Sequence, residues 1–355
     1  MSRLTFQRIR LVDLTPELLQ VWLDIVGQKE ADHNLNYGPN HNPPESRFES
    51  PFFSPYFSLA VAQSIPQQCF VTIVSRDGRP SGFFPFQYTN MLLGRAERIG
   101  YYLSDYNGYI SNQALGPLDW VNLLTSSKIH QYAFDHLHKF QKQLGINAEF
   151  IREGTATLLR HGFDAYWKER EIVVSRFTKD TVRSANRITQ KLGALRFQFH
   201  SSDPNDLQDL INGKRRQYRQ TGANDAMSSE WAQRCLFNLH AIQNDDFRGV
   251  LSKLYAGDTL ISSHFGIAAN SVLHYWFPVY EPQFAAYSPG RLLFYYMAQQ
   301  ANQHGIMSID NGMGAQKHKS DFANHTYQLG VGTLRQPSLQ CFLLRVQDFL
   351  NNRIF

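Results

Sequence analysis

The sequence contains no run of 20 apolar residues and no N-terminal signal peptide. A helix that crosses a membrane needs about 20 consecutive apolar residues, and a secretory signal needs a basic segment followed by an apolar one. We therefore expect a cytoplasmic protein without a transmembrane segment. With 355 residues the chain is long enough for two domains, because domains commonly hold about 100–200 residues.

Cysteine is scarce, with only Cys69, Cys235 and Cys341 in the whole chain. No two of them lie at the short spacing that is typical of a zinc site or a redox motif. Thiols that are so far apart in sequence favour a reducing compartment. We expect them to be core thiols, and we expect no metal site.

The net charge is also small, at +5, and the isoelectric point is about 9.0. This balance suits small anionic ligands, but it is too diffuse to predict a nucleic-acid surface. Aromatic residues, in contrast, make up 14% of the chain. They indicate either a core rich in Phe and Tyr or a platform on which sugars stack.

The stretch from Leu251 to Gly314 predicts an ordered succession of strands and one helix. Gly257-Asp258 suits a two-residue hairpin turn, since glycine tolerates positive φ. Apolar residues that recur every four positions predict the helix. The predicted elements are, in chain order, the strands Leu251–Ala256, Thr259–Ala268 and Val272–Tyr280, the helix Arg291–His304 and the strand Ile306–Asp310.

The first half of the chain predicts a similar order of elements, although no residue-level repeat links the two halves. Helices are also predicted to begin at Thr15-Pro16 and at Asp203-Pro204, where a capping residue precedes proline. The predicted elements of the first half are a hairpin of Phe70–Val74 and Gly82–Tyr88, a short strand Ile99–Leu103, mostly helix from about Leu118 to Leu144, and a strand Ala148–Ile151.

The loop Tyr287-Ser288-Pro289-Gly290 enters the predicted helix of the second half. A helix start has unpaired backbone N–H groups and a partial positive charge, so it attracts anions. Ser288, Gly290 and Arg291 are therefore candidate phosphate contacts. Alternatively, the serine, proline and glycine only start the helix.

Several short motifs resemble the GNAT superfamily of N-acetyltransferases in their order. Over roughly residues 20 to 330, the chain resembles bacterial acetyltransferases of the cellulose and exopolysaccharide biosynthesis (CelD-like) type, which are related to the Fem aminoacyltransferases. The motifs are Ser50 to Pro55, Gly82 to Gln87, Ser104 to Gly108, Lys214 to Tyr218 with Thr221-Gly222, His264 to Gly266, Tyr287 to Gly290, and Asp310 to Gly314 with Lys319.

The resemblance implies an α/β fold with mixed α+β sheets, built from tandem GNAT-like halves. Each half is expected to be a mostly antiparallel central sheet flanked by helices. Residues 1–165 would form a wall of the acceptor cleft with a degenerate donor site, and residues 166–355 would carry the acyl-donor site.

The resemblance also implies direct transfer of an acetyl or other acyl group from acyl-CoA to an amine or hydroxyl, in a complex that holds both substrates. No metal and no acyl-enzyme is expected. The catalytic candidates are His264 and Asp310 as bases, with His274 third, and Tyr287 as the acid for the thiolate. Alternatively, His264 is satisfied within its strand and Asp310 caps the next segment.

Donor and acceptor contacts are expected at separate positions. The donor set is Ser288, Gly290, Arg291 and Leu292, and the acceptor set is Asp105, Tyr106, Lys214, Tyr218 and Lys319. Alternatives remain for the acceptor set: a carboxylate that caps a turn, a half-buried tyrosine, and lysines that snorkel or face solvent.

A helix in the middle of the chain is predicted to begin at Asp180 or Thr181. Arg183, Arg187 and Lys191 share one face of it at spacings of four. This basic stripe either contacts the 3′-phosphate of CoA, an anionic lipid-linked sugar or an anionic membrane surface, or is a plain solvated face.

The donor loop departs from the usual GNAT pattern of spaced glycines, because Pro289 has no N–H and Gly290 stands alone. An aminoacyl donor, as in the Fem enzymes, is therefore a second hypothesis. A third is a non-catalytic, GNAT-shaped partner of a membrane polysaccharide synthase, associated peripherally with the membrane. The leading prediction is an acyltransferase that acts on a small-molecule or lipid-linked sugar in cell-surface polysaccharide biosynthesis, with no nucleic-acid partner.

Overall fold

The computed structural model describes residues 3–27, 48–314 and 317–351. Strands and helices alternate along these residues. The strands are β1 (Leu4–Arg10), β2 (Cys69–Arg76), β3 (Arg79–Asn90), β4 (Arg95–Glu97), β5 (Ile110–Ser111), β6 (Gln131–His138), β7 (Glu149–Leu158), β8 (Leu195–Gln198), β9 (Arg248–Ala256), β10 (Thr259–Ala269), β11 (Val272–Tyr280), β12 (Ser308–Met313) and β13 (His325–Arg335). The helices are α1 (Pro16–Gly27), α2 (Pro55–Ser64), α3 (Pro117–Ser126), α4 (Phe163–Val173), α5 (Ser175–Leu192), α6 (Pro204–Thr221), α7 (Glu230–Ala241), α8 (Pro289–Ala301), α9 (Lys317–Ser320) and α10 (Leu339–Asn351).

The chain divides into two compact units that are not contiguous in sequence. The first comprises Met1–Arg152 with Gln328–Phe355, and the second comprises Glu153–Tyr327. The last segment belongs to the first unit because β13 pairs antiparallel with β6, with Leu329 opposite His138. This division differs from the predicted one, which had a single boundary after residue 165.

Each unit contains a sheet with the same succession of strand directions. The order is β1-β2-β3-β4-β6-β13 in the first unit and β8-β9-β10-β11-β12-β7 in the second. Only one pair in each path is parallel, β4 with β6 and β11 with β12. Each parallel pair is joined by a helical crossover, α3 or α8, as parallel neighbours require. The predicted fold class, tandem halves with mostly antiparallel sheets flanked by helices, is confirmed.

Local sequence signals account for several helix starts. Helix α6 begins at Pro204, and the Asp203 side chain accepts a hydrogen bond from the Asn205 N–H at 2.9 Å. Proline at the first position loses no bond, because that N–H has no acceptor within a helix. Both predicted hairpins, β2–β3 and β9–β10, are also confirmed.

Two predictions for the first half are wrong. The segment from Leu118 to Leu144 is not mostly helix, because α3 ends at Ser126 and β6 follows. Strand β6 is buried on both faces, and the periodicity of such a strand cannot be told from that of a buried helix. The predicted strand Ile99–Leu103 is instead a single 3₁₀ turn that follows β4.

The core of the second unit lies between α8 and its sheet. Leu293 is fully buried there, and it packs with Leu254 of β9 and Ile261 of β10. Aromatic side chains extend the core around Phe294 and Phe322, whose ring centroids lie 4.2 Å apart. No helix in the part of the chain that the structure describes is both long and apolar enough to cross a membrane.

Replacing Leu293 by alanine should lower the free energy of unfolding by about 2–5 kcal/mol, because the substitution leaves a cavity under α8. The matched control is Ile172→Ala on α4, where the side chain is 78% exposed and the loss should stay within about 0.5 kcal/mol. Urea unfolding of the full chain measures both. Equal losses in the two variants would contradict the packing of α8.

Candidate functional site

The parallel strands β11 and β12 pair over three positions only. Val272 lies opposite Ser308, and the last pair is His274 with Asp310. Both strands continue beyond this pair without a common ladder. A cavity of about 540 Å³ lies between the diverging strands, lined by Tyr275 and Trp276 of β11 and Asn311 of β12.

The N-terminus of α8 opens onto this cavity through Ser288, Pro289, Gly290 and Arg291. Most of its amides are already bonded. The N–H of Ser288 donates to the Ala285 carbonyl at 3.0 Å, and the N–H groups of Arg291 and Leu292 both donate to the Ser288 carbonyl at 3.0 and 3.2 Å. Among residues 288–292, only the Gly290 N–H has no acceptor in the described structure. The loop therefore offers an anion one backbone donor rather than the several that a helix start can supply.

Side-chain cations provide most of the positive charge around the cavity. Lys214, Arg291 and Lys319 line it, against one carboxylate, Asp321. The Lys319 ammonium donates to the Met313 carbonyl at 2.9 Å, and the Arg291 guanidinium lies over the Phe177 ring, 5.1 Å from its centroid. This arrangement suits an anionic ligand.

Two of the predicted acceptor contacts, Lys214 of α6 and Lys319, lie in the cavity wall. The Lys214 ammonium donates to the Pro278 carbonyl at 2.8 Å and to Gln217 Oε1 at 3.3 Å. Burial lowers the pKa of Lys214 to about 8. Tyr218 lies behind it, with its ring centroid 5.3 Å from the ammonium, and does not line the cavity in the described structure.

Tyr287 and the basic stripe of α5 meet beside the start of α8. The Tyr287 ring centroid lies 5.2 Å from the Arg187 guanidinium and 5.6 Å from the Lys191 ammonium. Arg183, the third member of the stripe, pairs with Asp180 at 3.1 Å. Tyr287 is not among the residues that line the cavity, so its placement gives no support to its expected role as an acid.

His264 is fully buried in β10, where it supports a bulge in the sheet. The register of β10 with β11 shifts between Phe265 and Ile267. His264 Nε2 accepts the Trp276 N–H at 3.1 Å, and the imidazole stacks on the Tyr275 ring at 4.3 Å. Burial, with the nearby His274 and Lys214, holds the pKa of His264 well below its usual value. A neutral imidazole whose Nε2 is already an acceptor, and which does not line the cavity, is poorly placed to act as a base.

Asp310 is held by three hydrogen bonds. Its Oδ1 accepts the Tyr327 hydroxyl at 2.5 Å and the Gly312 N–H at 2.9 Å, and its Oδ2 lies 3.2 Å from His274 Nδ1. Burial alone would raise the pKa of Asp310, but the His274 hydrogen bond and charge, the Tyr327 hydroxyl and the Gly312 amide together lower it to about 2. A carboxylate that already accepts three hydrogen bonds and has a lowered pKa is poorly suited to take a proton. Tyr327 was not predicted, and no local motif marks it.

The predicted acceptor residues Asp105 and Tyr106 lie in the first unit. Tyr106 is fully buried, with its ring centroid 4.4 Å from that of His138 and 5.7 Å from that of Phe52. Asp105 is half-buried at the neighbouring position. The placement of Tyr106 fits a core residue better than a ligand contact.

Lowering the pH should destabilise the protein in part through His264. Because the folded-state pKa of His264 lies below its ordinary 6.5, the unfolded chain binds the proton more tightly. Stability is therefore lost as the pH falls below about 6.5, by at most about 1.4 kcal/mol per pH unit from this one group. His264→Gln keeps an acceptor for the Trp276 N–H but does not titrate.

Urea unfolding between pH 7 and pH 5 should therefore show a shallower pH dependence in His264→Gln than in the wild type. The exposed His161→Gln is the control, and it should keep the wild-type slope. A His264→Gln protein with an unchanged slope would show that folding does not lower the pKa of His264.

Comparison with known proteins gives one family match and several solved structures of similar fold. Residues 176–320 match the family model described as an acetyltransferase (GNAT) domain, whereas no curated protein matches the chain. The solved structure of FemX is similar over 93% of this chain and 98% of its own, with 13% identity and a TM-score of 0.57. The C-terminal domain of a protein assigned as a lysylphosphatidylglycerol synthetase from Agrobacterium fabrum is similar over 92% of this chain and 94% of its own, with 10% identity and a TM-score of 0.51. These structures share the fold with this chain, and the match to the acetyltransferase (GNAT) family model covers residues 176–320, less than half of the chain.

Proposed function

We propose that the protein is an acyltransferase that moves an acetyl or other acyl group from acyl-CoA to an amine or hydroxyl acceptor. The observation that carries this proposal is the cavity between β11 and β12, onto which α8 opens with the Gly290 N–H and the Arg291 side chain. A ligand with phosphates at one end and a thioester at the other matches an anion site that continues into an aromatic cleft. Lys214 and Lys319 add charge that favours such a ligand.

The Gly290 position fits close approach by a phosphate. A Cβ added there would meet only Tyr280, at 4.0 Å. A phosphate can therefore come close to the backbone at Gly290, whose N–H is the one on this loop without an acceptor. Acyl-CoA when bound supplies the activated thioester; the protein supplies the charge that holds it.

Transfer requires that the acceptor nucleophile lose a proton as it attacks the thioester carbon. The carbon–sulfur bond then breaks, and the leaving sulfur takes up a proton. We assign Lys214 as the base that takes the proton of the nucleophile. It lines the cavity, and its pKa of about 8 allows a neutral amine near physiological pH. In this proposal the roles of His264 and Asp310 are structural. His264 supports the bulge of the sheet, and Asp310 orients His274.

The proposal also includes the chemical class of the acceptor. The resemblance to CelD-like enzymes supports a small-molecule or lipid-linked sugar of cell-surface polysaccharide biosynthesis, encountered in the cytoplasm, with a membrane polysaccharide synthase as a partner. In this reading, Lys319 and the basic stripe of α5 are candidate contacts for an anionic group on the donor or the acceptor.

Transfer of an aminoacyl group is the second candidate function. Two observations favour it: the loop at α8 has one unengaged amide where a pyrophosphate site would use several, and the fold is similar to that of FemX. Both functions use an activated acyl carbon in the same cleft. They differ in the carrier, which is CoA in the first and tRNA in the second.

Gly290→Glu should weaken acetyl-CoA binding about tenfold or more, equivalent to about 1.4 kcal/mol. The new carboxylate would stand where a phosphate is expected. Gly27→Glu is a matched control, since Gly27 has open space around its Cβ position and lies in the first unit. Calorimetric titration of the purified proteins with acetyl-CoA measures these affinities. If the wild type gives no heat, the proposed acyl-CoA function is wrong. If the two variants bind equally well, the start of α8 is not the phosphate site.

Lys214→Met should lower the rate of acetyl transfer about 100-fold or more. With acetyl-CoA and hydroxylamine as a small amine acceptor, the wild-type rate should rise with pH through about 8, as Lys214 loses its proton. The variant should lose that rise. Lys179→Met, at an exposed position of α5, is the control, and a pH profile unchanged in Lys214→Met would exclude Lys214 as the proton acceptor.

A further inference from the structure

Asn311 is a buried polar residue without a role in the proposed anion binding or proton transfer. It is 3% exposed, yet it lines the cavity between β11 and β12. Its Nδ2 is buried and makes no hydrogen bond with any residue that the structure describes. An unsatisfied buried donor costs about 1–3 kcal/mol, so a group of this kind calls for an explanation.

Asn311 lies at the end of the cleft where β11 and β12 begin to separate. It directly follows Asp310, whose pair with His274 is the last in the β11–β12 ladder. Tyr275 follows His274 in the same way on the opposite strand, and it also lines the cavity. A ligand could extend from the start of α8 to the point where the two strands separate. The end of such a ligand would lie between Asn311 and Tyr275.

Two nearby backbone amides are already used within the protein. The Trp276 N–H, at the bulge of β11, donates to His264 Nε2 at 3.1 Å. The Gly312 N–H on β12 donates to Asp310 Oδ1 at 2.9 Å. These two strand amides are therefore engaged, and the Asn311 amide at the same end of the cleft has no acceptor among the described residues.

We propose that the Asn311 amide donates a hydrogen bond to the carbonyl oxygen of the reacting acyl group. When the acceptor nucleophile bonds to the carbonyl carbon, the C=O electron pair moves to oxygen, and the Asn311 donor stabilises the resulting oxyanion. The pair returns as the carbon–sulfur bond breaks and the thiolate leaves. A positioned donor of this kind contributes about 100- to 1,000-fold in rate. This role rests on the proposed acyl-CoA function.

The first test uses stability alone and needs no ligand. Asn311→Leu replaces the unsatisfied amide by an apolar group of similar shape, so the variant should unfold at an equal or higher urea concentration than the wild type. Asn324→Leu is the contrast, because the Asn324 amide bonds both the N–H and the carbonyl of Leu158, at 2.7 and 3.2 Å, and its loss should destabilise the protein. If Asn311→Leu is destabilised as much as Asn324→Leu, the amide has a structural partner and the proposal fails.

The second test measures the bond itself, by isotope-edited infrared difference spectroscopy of bound acetyl-CoA labelled with ¹³C at the thioester carbonyl. The carbonyl stretch should lie at lower frequency in the wild type than in Asn311→Leu, while binding weakens by about tenfold or less. Asn311→Asp removes the donor with little change in shape, and it should lose the same shift even if the leucine variant does not fold. A wild-type frequency retained in either variant overturns the role of Asn311, whereas a wild type that binds no acetyl-CoA overturns the proposed function.

Discussion

The second unit depends on the hydrogen bonds that Asp310 accepts at the end of the β11–β12 ladder. Its carboxylate takes the Gly312 N–H, and the backbone turns at Gly312 with a φ of 71°. The ladder of β12 with β11 ends at His274, and the register of β12 with β7 shifts between Asp310 and Met313. Tyr327 and His274 hold the same carboxylate, so the separation is fixed by three partners inside a buried region, where each such bond is strong and its loss costly. The cavity is the space that this separation leaves.

Two different sources of positive charge meet that cavity. A helix start usually binds anions through several backbone amides, but the αL conformation of Ser288, with φ of 52°, and Pro289 leave one amide unengaged. Arg291, Lys214 and Lys319 add side-chain charge, and the Lys214 and Lys319 ammonium groups are held by the Pro278 and Met313 carbonyls. Side-chain charge tolerates variation in ligand geometry better than a rigid set of amides does. A site of this kind should hold an anionic ligand less specifically than a glycine-rich loop does.

The order of elements could be predicted from the sequence, because hairpin turns and helix starts depend on short-range chemistry. The helix predicted through Leu144 was wrong because a strand buried on both faces has no alternating pattern. At the site, Gly290 and Lys214 were predicted and do line the cavity, although no observation tests their roles. The partners of His264 and Asp310 could not be predicted, since they depend on a sheet bulge and on strands that are distant in sequence. Asn311 could not be predicted either, since whether its amide has an acceptor depends on the packing of all the residues around it.

The pairing of β13 with β6 has a consequence for how the protein is made. Strand β6 is synthesised long before residues 328–335, and until those residues leave the ribosome one edge of the first sheet has no partner on that side. Unpaired edges invite association with other chains, and domains otherwise tend to complete themselves from the N-terminus onward during translation. The second unit, which is continuous in sequence, can close before the first one does.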